Sequence, residues 1–264
     1  MITIKTAEQI KKMAESGRIL AEIIRDMMAA AKPGVTTQEI DDLARVLCAK
    51  HRVTPGFYNY PVMGKKYPAV SCLSVNDAVV HAIPADRPLK EGDVLGIDMG
   101  VMYQGWHSDS AVTLRVTQNV QRATSDSDAT RYTLHDKLIE VTKQAMYKGI
   151  EQAHPGNHVG DIGYAVQTYV ESHGFGVVRD LVGHGIGREL HEEPRIPNFG
   201  KAGEGPELKA GMVVCIEPMV TIGDWKLVLD NDGWTYRTKD GSLAAHFEHT
   251  VAITKDGPVI LTKL

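Results

Sequence analysis

The sequence predicts an α+β fold in two similar halves, each running helix, helix, strands. Three observations carry this expectation. Apolar residues recur at helical spacing over residues 7–31 and again over 134–153. Short, nearly all-apolar runs that follow a Gly turn, VLGI at 94–97 and VVCI at 213–216, have the length and composition of buried strands. The second half of the chain also echoes the first, phrase by phrase.

Taken in order, the helix over 7–31 runs into KPGVTTQEI at 32–40, a Pro-Gly stop followed by the start of a second helix over 39–51. The helix over 134–153 likewise runs into HPGNHVGDI at 154–162 and a second helix over 161–173. LKEGDVLGIDMG (89–100) is matched by LKAGMVVCIEPM (208–219), which aligns Asp98 with Glu217. VVHAIP (79–84) matches VGHGIG (182–187) through a shared His-x-Ile, pairing His81 with His184, and SDSAVTL (108–114) lines up with FEHTVAI (247–253), pairing Asp109 with Glu248. A solenoid needs at least three copies of a shorter unit, so a repeat of this length predicts a pseudo-twofold pair. One domain over residues 1–264 is expected, with halves of roughly 1–118 and 133–264 joined by an exposed linker, NVQRATSDSDATRY (119–132).

With 43% hydrophobic and 23% charged residues, the chain can bury a large core. A net charge of -4 and a pI near 6.3 offer no general attraction to nucleic acid or to an anionic membrane. No apolar segment follows the lysines of the opening MITIKTAEQIKKMAESG, and no later apolar run approaches the ~18 residues of a membrane span, so a cytoplasmic location is expected. Cys48, Cys72 and Cys215 have no CxxC spacing, which argues against a disulfide framework or a thiolate zinc site.

The stretch LVGHGIGRELHEEP (181–194) sets His184 between Gly183 and Gly185, with Gly187 and His191 close behind. An interior glycine costs roughly 0.5–1 kcal/mol relative to alanine, so this cluster implies a backbone that passes close to something. If the halves pack around a shared axis, His81, Asp98, Asp109, His184, Glu217 and Glu248 converge. Any one of these acids alone reads as a strand-end cap or an ion-pair partner; all of them, related by one repeat, read as a site. Four carboxylates brought together repel and raise one another's pKa values. Two divalent cations remove that conflict, since their charge balances Asp98, Asp109, Glu217 and Glu248, and His184 completes the ligand set. An oxygen-rich set with one imidazole and no thiolate suits Mn²⁺, Fe²⁺, Co²⁺ or Zn²⁺ in an open site, and the residues leave that choice open. A pair of such ions serves hydrolysis. Other chemistries are poorly represented: Ser108 and Ser110 lack a G-x-S-x-G elbow, GHGIGREL has the wrong glycine spacing for a dinucleotide fingerprint, and HEEP breaks an HExxH motif at proline.

The ordered set Ile97-Asp98, Asp109, Gly183-His184-Gly185-Ile186-Gly187, His191-Glu192-Glu193-Pro194, Ile216-Glu217-Pro218-Met219 and Glu248-His249-Thr250 resembles the type I methionine aminopeptidases, over about residues 3–262. The resemblance implies the pita-bread fold, in which two pseudo-twofold-related halves form an antiparallel sheet covered by helices. It also implies that Asp98, Asp109, His184, Glu217 and Glu248 hold two metal ions, with Glu217 catalytic as well, and that the flanking glycines let the His184 strand pass tightly beside the metal centre. His81 would contact the scissile amide and His191 would lean over the substrate. The side-chain pocket maps onto Phe57, Tyr60, Cys72, Leu190 and Trp234, an apolar bowl suited to an unbranched thioether. Two features depart from the family pattern. YPVMGKKYPAVSC (60–72) is longer than the compact form, which displaces the matches at Phe57 and Tyr60, and Leu190 stands where an aromatic is usual.

The activity so implied is removal of the N-terminal methionine from nascent proteins when the second residue is small, by attack of metal-activated water on the first peptide bond. The substrate is an N-terminal peptide. Transient contact with the ribosome, a monomeric chain, and no nucleic-acid or membrane partner go with it. The alternatives are an Xaa-Pro peptidase of the same fold, which has no room for its extra N-terminal domain ahead of Asp98, and a catalytically silent binding homologue, which needs a lost ligand.

Overall fold

Each half opens on two helices whose first turns are capped from within the sequence. α1 (Ala7–Ala30) and α2 (Thr37–His51) follow Thr6 and Thr36. Each threonine hydroxyl accepts from the backbone N–H three residues on, while Gln9 or Glu39 accepts from the threonine's own N–H. In the second half α3 (Leu134–Ile150) is capped the same way by Thr133 and Asp136, and at the head of α4 (Val159–Ser172) Asp161 accepts from the His158 N–H at 2.6 Å. All four helices lie within a few residues of the expected ranges. The computed structural model describes residues 2–62, 64–118 and 133–263, so the expected linker at 119–132 lies outside the described residues. Among the described residues no helix is long and apolar enough to cross a membrane.

After α2 come β1 (Thr54–Pro55), the small hairpin β2 (Pro61–Val62) and β3 (Lys65–Lys66), then β4 (Cys72–Val75), β5 (Ala78–Val80) and the long hairpin β6 (Val94–Tyr103) and β7 (Trp106–Arg115). After α4 come β8 (Gly176–Val177), β9 (Gly183–Gly185), β10 (Glu192–Ile196), β11 (Val213–Ile216) and β12 (Met219–Thr221). The chain ends with the hairpin β13 (Leu227–Leu229) and β14 (Tyr236–Thr238), then β15 (Ala244–His246), β16 (Glu248–Thr254) and β17 (Gly257–Ile260). The main sheet runs β1-β6-β7-β16-β11-β9-β10, antiparallel throughout, with β4 also on β6 and β17 on β16.

Strand alternation sorts this sheet into a core face and a site face. Leu95, Ile97, Met99 and Val101 of β6, Val214 and Ile216 of β11, and Val251 and Ile253 of β16 pack in one cluster with Ile19, Ile23 and Ile24 of α1, Ile40 of α2 and Met146 of α3. The residues between them, including Asp98 and Glu248, point the other way. A one-residue slip of β6 would expose Ile97 and Met99 at about 1.5–3 kcal/mol for each side chain, so the core fixes which face the acids occupy.

The two halves repeat down to their hydrogen bonds. The Gly34 N–H donates to the Leu89 carbonyl at 2.8 Å and the Gly156 N–H to the Leu208 carbonyl at 2.9 Å; Gly92 donates to Val116, and Gly211 to Ile253, both at 2.8 Å. The pseudo-twofold axis passes between Ala111 and Glu248, which face each other across β7 and β16. On either side a threonine hydroxyl clamps the neighbouring backbone. Thr250 accepts from the Asp109 N–H (2.9 Å) and donates to the Asp109 carbonyl (2.8 Å), and Thr113 does the same to His246 (2.9 and 2.7 Å).

This register corrects two pairings expected from the sequence. Asp98 pairs with Ala111, so with Asp98 and Glu217 equivalent, Glu248 takes the place of Ala111, and His246 that of Asp109. The error is a shift of two residues, which pattern matching does not see because it preserves the alternation. His81 and His191 each lie six residues beyond Val75 and Gly185, which pair with the equivalent residues Leu95 and Val214. His81 is therefore the counterpart of His191, and His184 that of Ser74; the shared His-x-Ile is a local coincidence.

The glycines around His184 also have a different cause from the one expected. β9 lies between β11 and β10, and a Cβ on Gly183 would meet the Cys215 carbonyl while one on Gly185 would meet the Glu193 carbonyl. They admit neighbouring backbone rather than a metal. Gly185→Ala is expected to lower stability by about 2 kcal/mol or more, the cost of overpacking against backbone that cannot swing away. Urea denaturation of the metal-free chain measures this, and an unchanged midpoint would show that strand spacing does not require the glycine.

Candidate metal centre and active site

The site face of the sheet gathers one acid from each of β6 and β7, one from the start of β16, one just beyond β11, and a histidine from β9. Asp98, Asp109 and Glu248 each place a carboxylate oxygen within 4.8 Å of the other two. His184, Cys215 and Glu248 form a second group with the same spacing, so Glu248, next to the axis, belongs to both. His184 Nε2 lies 3.5 Å from Glu217 Oε1. Asp98, Asp109, His184 and Glu248 are buried, and the Glu217 side chain is nearly so.

Burial raises all four carboxyl groups. Asp98, Glu217 and Glu248 stand well above the usual carboxylate range, first through loss of water and then through the charge of Asp109 and one another. Burial raises Asp109 to about 7, opposed by the Ser110 N–H that bonds its carboxylate. Among the described residues Asp98 Oδ1 and Glu248 Oε1 are buried without a hydrogen-bond partner, a deficit of about 1–3 kcal/mol for each atom if nothing else binds there.

The donor set fits divalent cations. The His184 Nδ1–H donates to the Gly185 carbonyl at 2.9 Å, which leaves the Nε2 lone pair facing the cluster. Burial first, and then His191, lowers the pKa of His184 to about 3, so the ring is a neutral ligand at pH 7. Two neighbours were not foreseen. Cys215 adds a thiol beside the oxygen ligands; burial and then the Glu248 charge raise its pKa, which agrees with the expected absence of a thiolate. His246 places a buried Nε2, without a hydrogen-bond partner among the described residues, at 3.9 Å from Glu217 Oε2. Only the strand register reveals it.

An apolar bowl adjoins the acids. Phe57, Cys72 and Leu190 cluster with Tyr67, Trp234 and Tyr60. Cys72 pairs with Asp98 across β4 and β6, and a Cβ at Gly100 would meet Phe57 at 2.9 Å, Leu190 at 3.2 Å and Asp109 Oδ1 at 3.4 Å. Gly100 therefore separates bowl from acids by the thickness of one backbone. Tyr67, which the sequence did not single out, stands edge-on to both Phe57 (6.5 Å) and Trp234 (5.2 Å), with its hydroxyl donating to the Ala82 carbonyl at 3.0 Å. The longer 60–72 segment explains this. It forms the β2–β3 hairpin with tyrosines on both sides of its root, and while Tyr67 enters the bowl, the Tyr60 hydroxyl reaches His191 Nδ1 at 2.7 Å.

His81 and His191 line the cleft above the cluster. The His191 ring is 4.3 Å from that of His184, and His81, in a left-handed conformation (φ 59°), stands edge-on to Tyr236 at 5.8 Å. Both rings reach solvent at the cleft mouth, yet the surrounding walls displace enough water to lower each pKa to about 4, with His191 adding to the effect on His81 and His107 to that on His191.

Residues 11–255 match the model of metallopeptidase family M24. The chain is 45% identical over 262 residues to the methionine aminopeptidase of Clostridium perfringens, covering 99% of each chain. It aligns with the crystal structure of methionine aminopeptidase from Thermotoga maritima at a TM-score of 0.91 and 43% identity, over 100% of both chains. A buried carboxylate cluster on this sheet, carried by a chain with these relatives, makes it a member of metallopeptidase family M24. Within the family it stands with the methionine aminopeptidases of bacteria. The prolidase from Pyrococcus horikoshii shares the fold alone, at 21% identity and a TM-score of 0.73, and the match covers 98% of this chain but 63% of that one.

In the metal-free chain Asp109 keeps its proton up to about pH 7, whereas an unfolded aspartate releases it near 3.8. The native state then binds more protons than the unfolded state across that window, so stability is expected to fall as pH rises from about 4 to about 7. Added Mn²⁺ or Co²⁺ should therefore raise the Tm more at about pH 7.5 than at about pH 5. Thermal unfolding with and without the ions checks this; a larger metal shift at the acid end would contradict it.

Proposed function

We propose that the chain is a metalloaminopeptidase that releases the N-terminal methionine of proteins whose second residue is small. The observation that carries this reading is the cluster of Asp98, Asp109, His184, Glu217 and Glu248 set one backbone away from an apolar bowl. The five side chains would hold two divalent ions of the Mn, Fe, Co or Zn class. When bound, such a pair polarises a carbonyl and makes a bound water acidic near neutral pH.

The remaining work falls to the chain's own groups. Phe57, Tyr67, Cys72, Leu190 and Trp234 take up the methionine side chain, with Leu190 leaving more width than an aromatic would. A lysine or aspartate side chain would lie there as an unpaired charge. His81 and His191, neutral at pH 7, stand over the scissile bond, and His191 donates a hydrogen bond to the carbonyl oxygen as negative charge develops on it. Glu217 accepts the proton of the attacking water. As the new C–O bond forms and the C–N bond breaks, that proton passes to the leaving amine. Residues 1–264 act as one catalytic domain, as a monomer in the cytoplasm, on nascent chains and in passing contact with the ribosome.

His191→Ala is expected to reduce turnover on the order of 10²–10³-fold while both metals stay bound. Steady-state kinetics together with metal analysis tests the assignment, and loss of metal from the variant would make His191 a ligand instead.

Substrate choice is tested with a matched panel of peptides assayed for free methionine. Those beginning Met-Ala, Met-Gly or Met-Ser should be cut, Met-Leu and Met-Lys poorly, and N-blocked peptides not at all. Release should stop on exhaustive chelation and return with Co²⁺ or Mn²⁺. A preference for proline in the second position, whatever the first residue, would replace this reading with a proline-directed peptidase.

A further inference from the structure

We propose that Tyr60 is a positioning residue that holds His191 as the tautomer protonated on Nε2, and so makes His191 a hydrogen-bond donor into the cleft. The use of that donor rests on the aminopeptidase reading; the tautomer itself does not. A neutral imidazole has one N–H and one lone pair, and the partner on one nitrogen decides the state of the other. The two neighbouring histidines of this site have different partners. His184 Nδ1 faces the Gly185 carbonyl, which can only accept, so Nδ1 carries the proton and Nε2 the lone pair that suits a ligand. His191 Nδ1 faces the Tyr60 hydroxyl, which can donate, at 2.7 Å. That length is usual for an O–H donor and at the short limit of about 2.7 Å for an N–H donor. Among the described residues His191 Nδ1 is the one hydrogen-bond partner of the Tyr60 hydroxyl, and so the one protein acceptor for its proton. Two rings 4.3 Å apart are thus set in opposite tautomers, one to bind and one to donate.

The β2–β3 hairpin makes this orientation firm. Tyr60 and Tyr67 close its root, the Tyr67 N–H donating to the Tyr60 carbonyl at 3.0 Å and the Asn59 N–H to the Tyr67 carbonyl at 2.9 Å. Tyr67 is anchored in turn through its hydroxyl on the Ala82 and Ser71 carbonyls. The wall that receives the methionine side chain therefore also aims the donor.

The test is Tyr60→Phe in the holoenzyme loaded with diamagnetic Zn²⁺. Phenylalanine keeps the edge-on ring contact with His191 (5.1 Å) and removes only the hydroxyl. Ring ¹⁵N NMR is expected to show His191 protonated on Nε2 in the wild type and a mixture of tautomers in the variant. On a Met-Ala peptide kcat should fall about tenfold, less than the ~10²–10³-fold for loss of the donor itself, with KM and methionine affinity unchanged. In a His191→Ala background Tyr60→Phe should add nothing. An unaltered tautomer, or a raised KM with kcat retained, would reduce Tyr60 to a wall of the pocket and overturn the proposal. If the wild type released no methionine while the two spectra differed as stated, the aminopeptidase reading would fail and the tautomer assignment would stand.

Discussion

Mutual repulsion among four buried carboxylates is the constraint around which the molecule is arranged. At an effective dielectric of ~20, two like charges at ~4.8 Å repel by about 3–4 kcal/mol, and several such pairs would consume much of the ~5–15 kcal/mol by which a domain is stable. In the metal-free chain the acids hold their protons more tightly than free carboxyls, with upward shifts at Asp98, Asp109, Glu217 and Glu248. Divalent ions answer without protons. Whatever occupies the site, the acids can be held together only because their strands are anchored on the opposite face, where Ile97, Met99, Ile216 and Val251 pack under the helices.

The backbone obeys a twofold relation that the side chains break at the points where chemistry needs it broken. Ala111 and Glu248 are equivalent and face one another, so a small residue on one side leaves room for a carboxylate on the other. Ser74 answers to His184 and Asp109 to His246, which gives the first half two aspartates and the second half two glutamates and the imidazole. Residue type is kept at other matching positions, at His81 and His191 in the cleft and at the threonines of the seam. Thr113 and Thr250 keep the seam in register while its side chains diverge.

The 60–72 hairpin joins the apolar bowl to the histidines beside the acids. Tyr67 narrows the bowl against Phe57 and Trp234, and Tyr60, bonded to it through the hairpin root, meets His191. Gly100 keeps the floor between the bowl and Asp109 to the thickness of one backbone.

The sequence by itself determined the class of fold, the helices with their caps, and the order and type of the acids and histidines that meet on one face. Those are local or parity properties: helical period, Pro-Gly stops, and acids placed on alternating strands whose apolar partners must go inward. Only the tertiary structure decided that Glu248 stands next to the axis opposite Ala111, that His81 answers to His191, that Gly183 and Gly185 admit carbonyls of neighbouring strands, and that Cys215 and His246 adjoin the acids. A register shift of two leaves every local pattern unchanged, and strand spacing depends on chain segments far away in sequence, so no window of residues contains either. Tyr60 and Tyr67 mark the same boundary. Both were visible as residues of a lengthened segment, but which one enters the bowl and which one holds His191 follows from the direction in which a hairpin leaves its root.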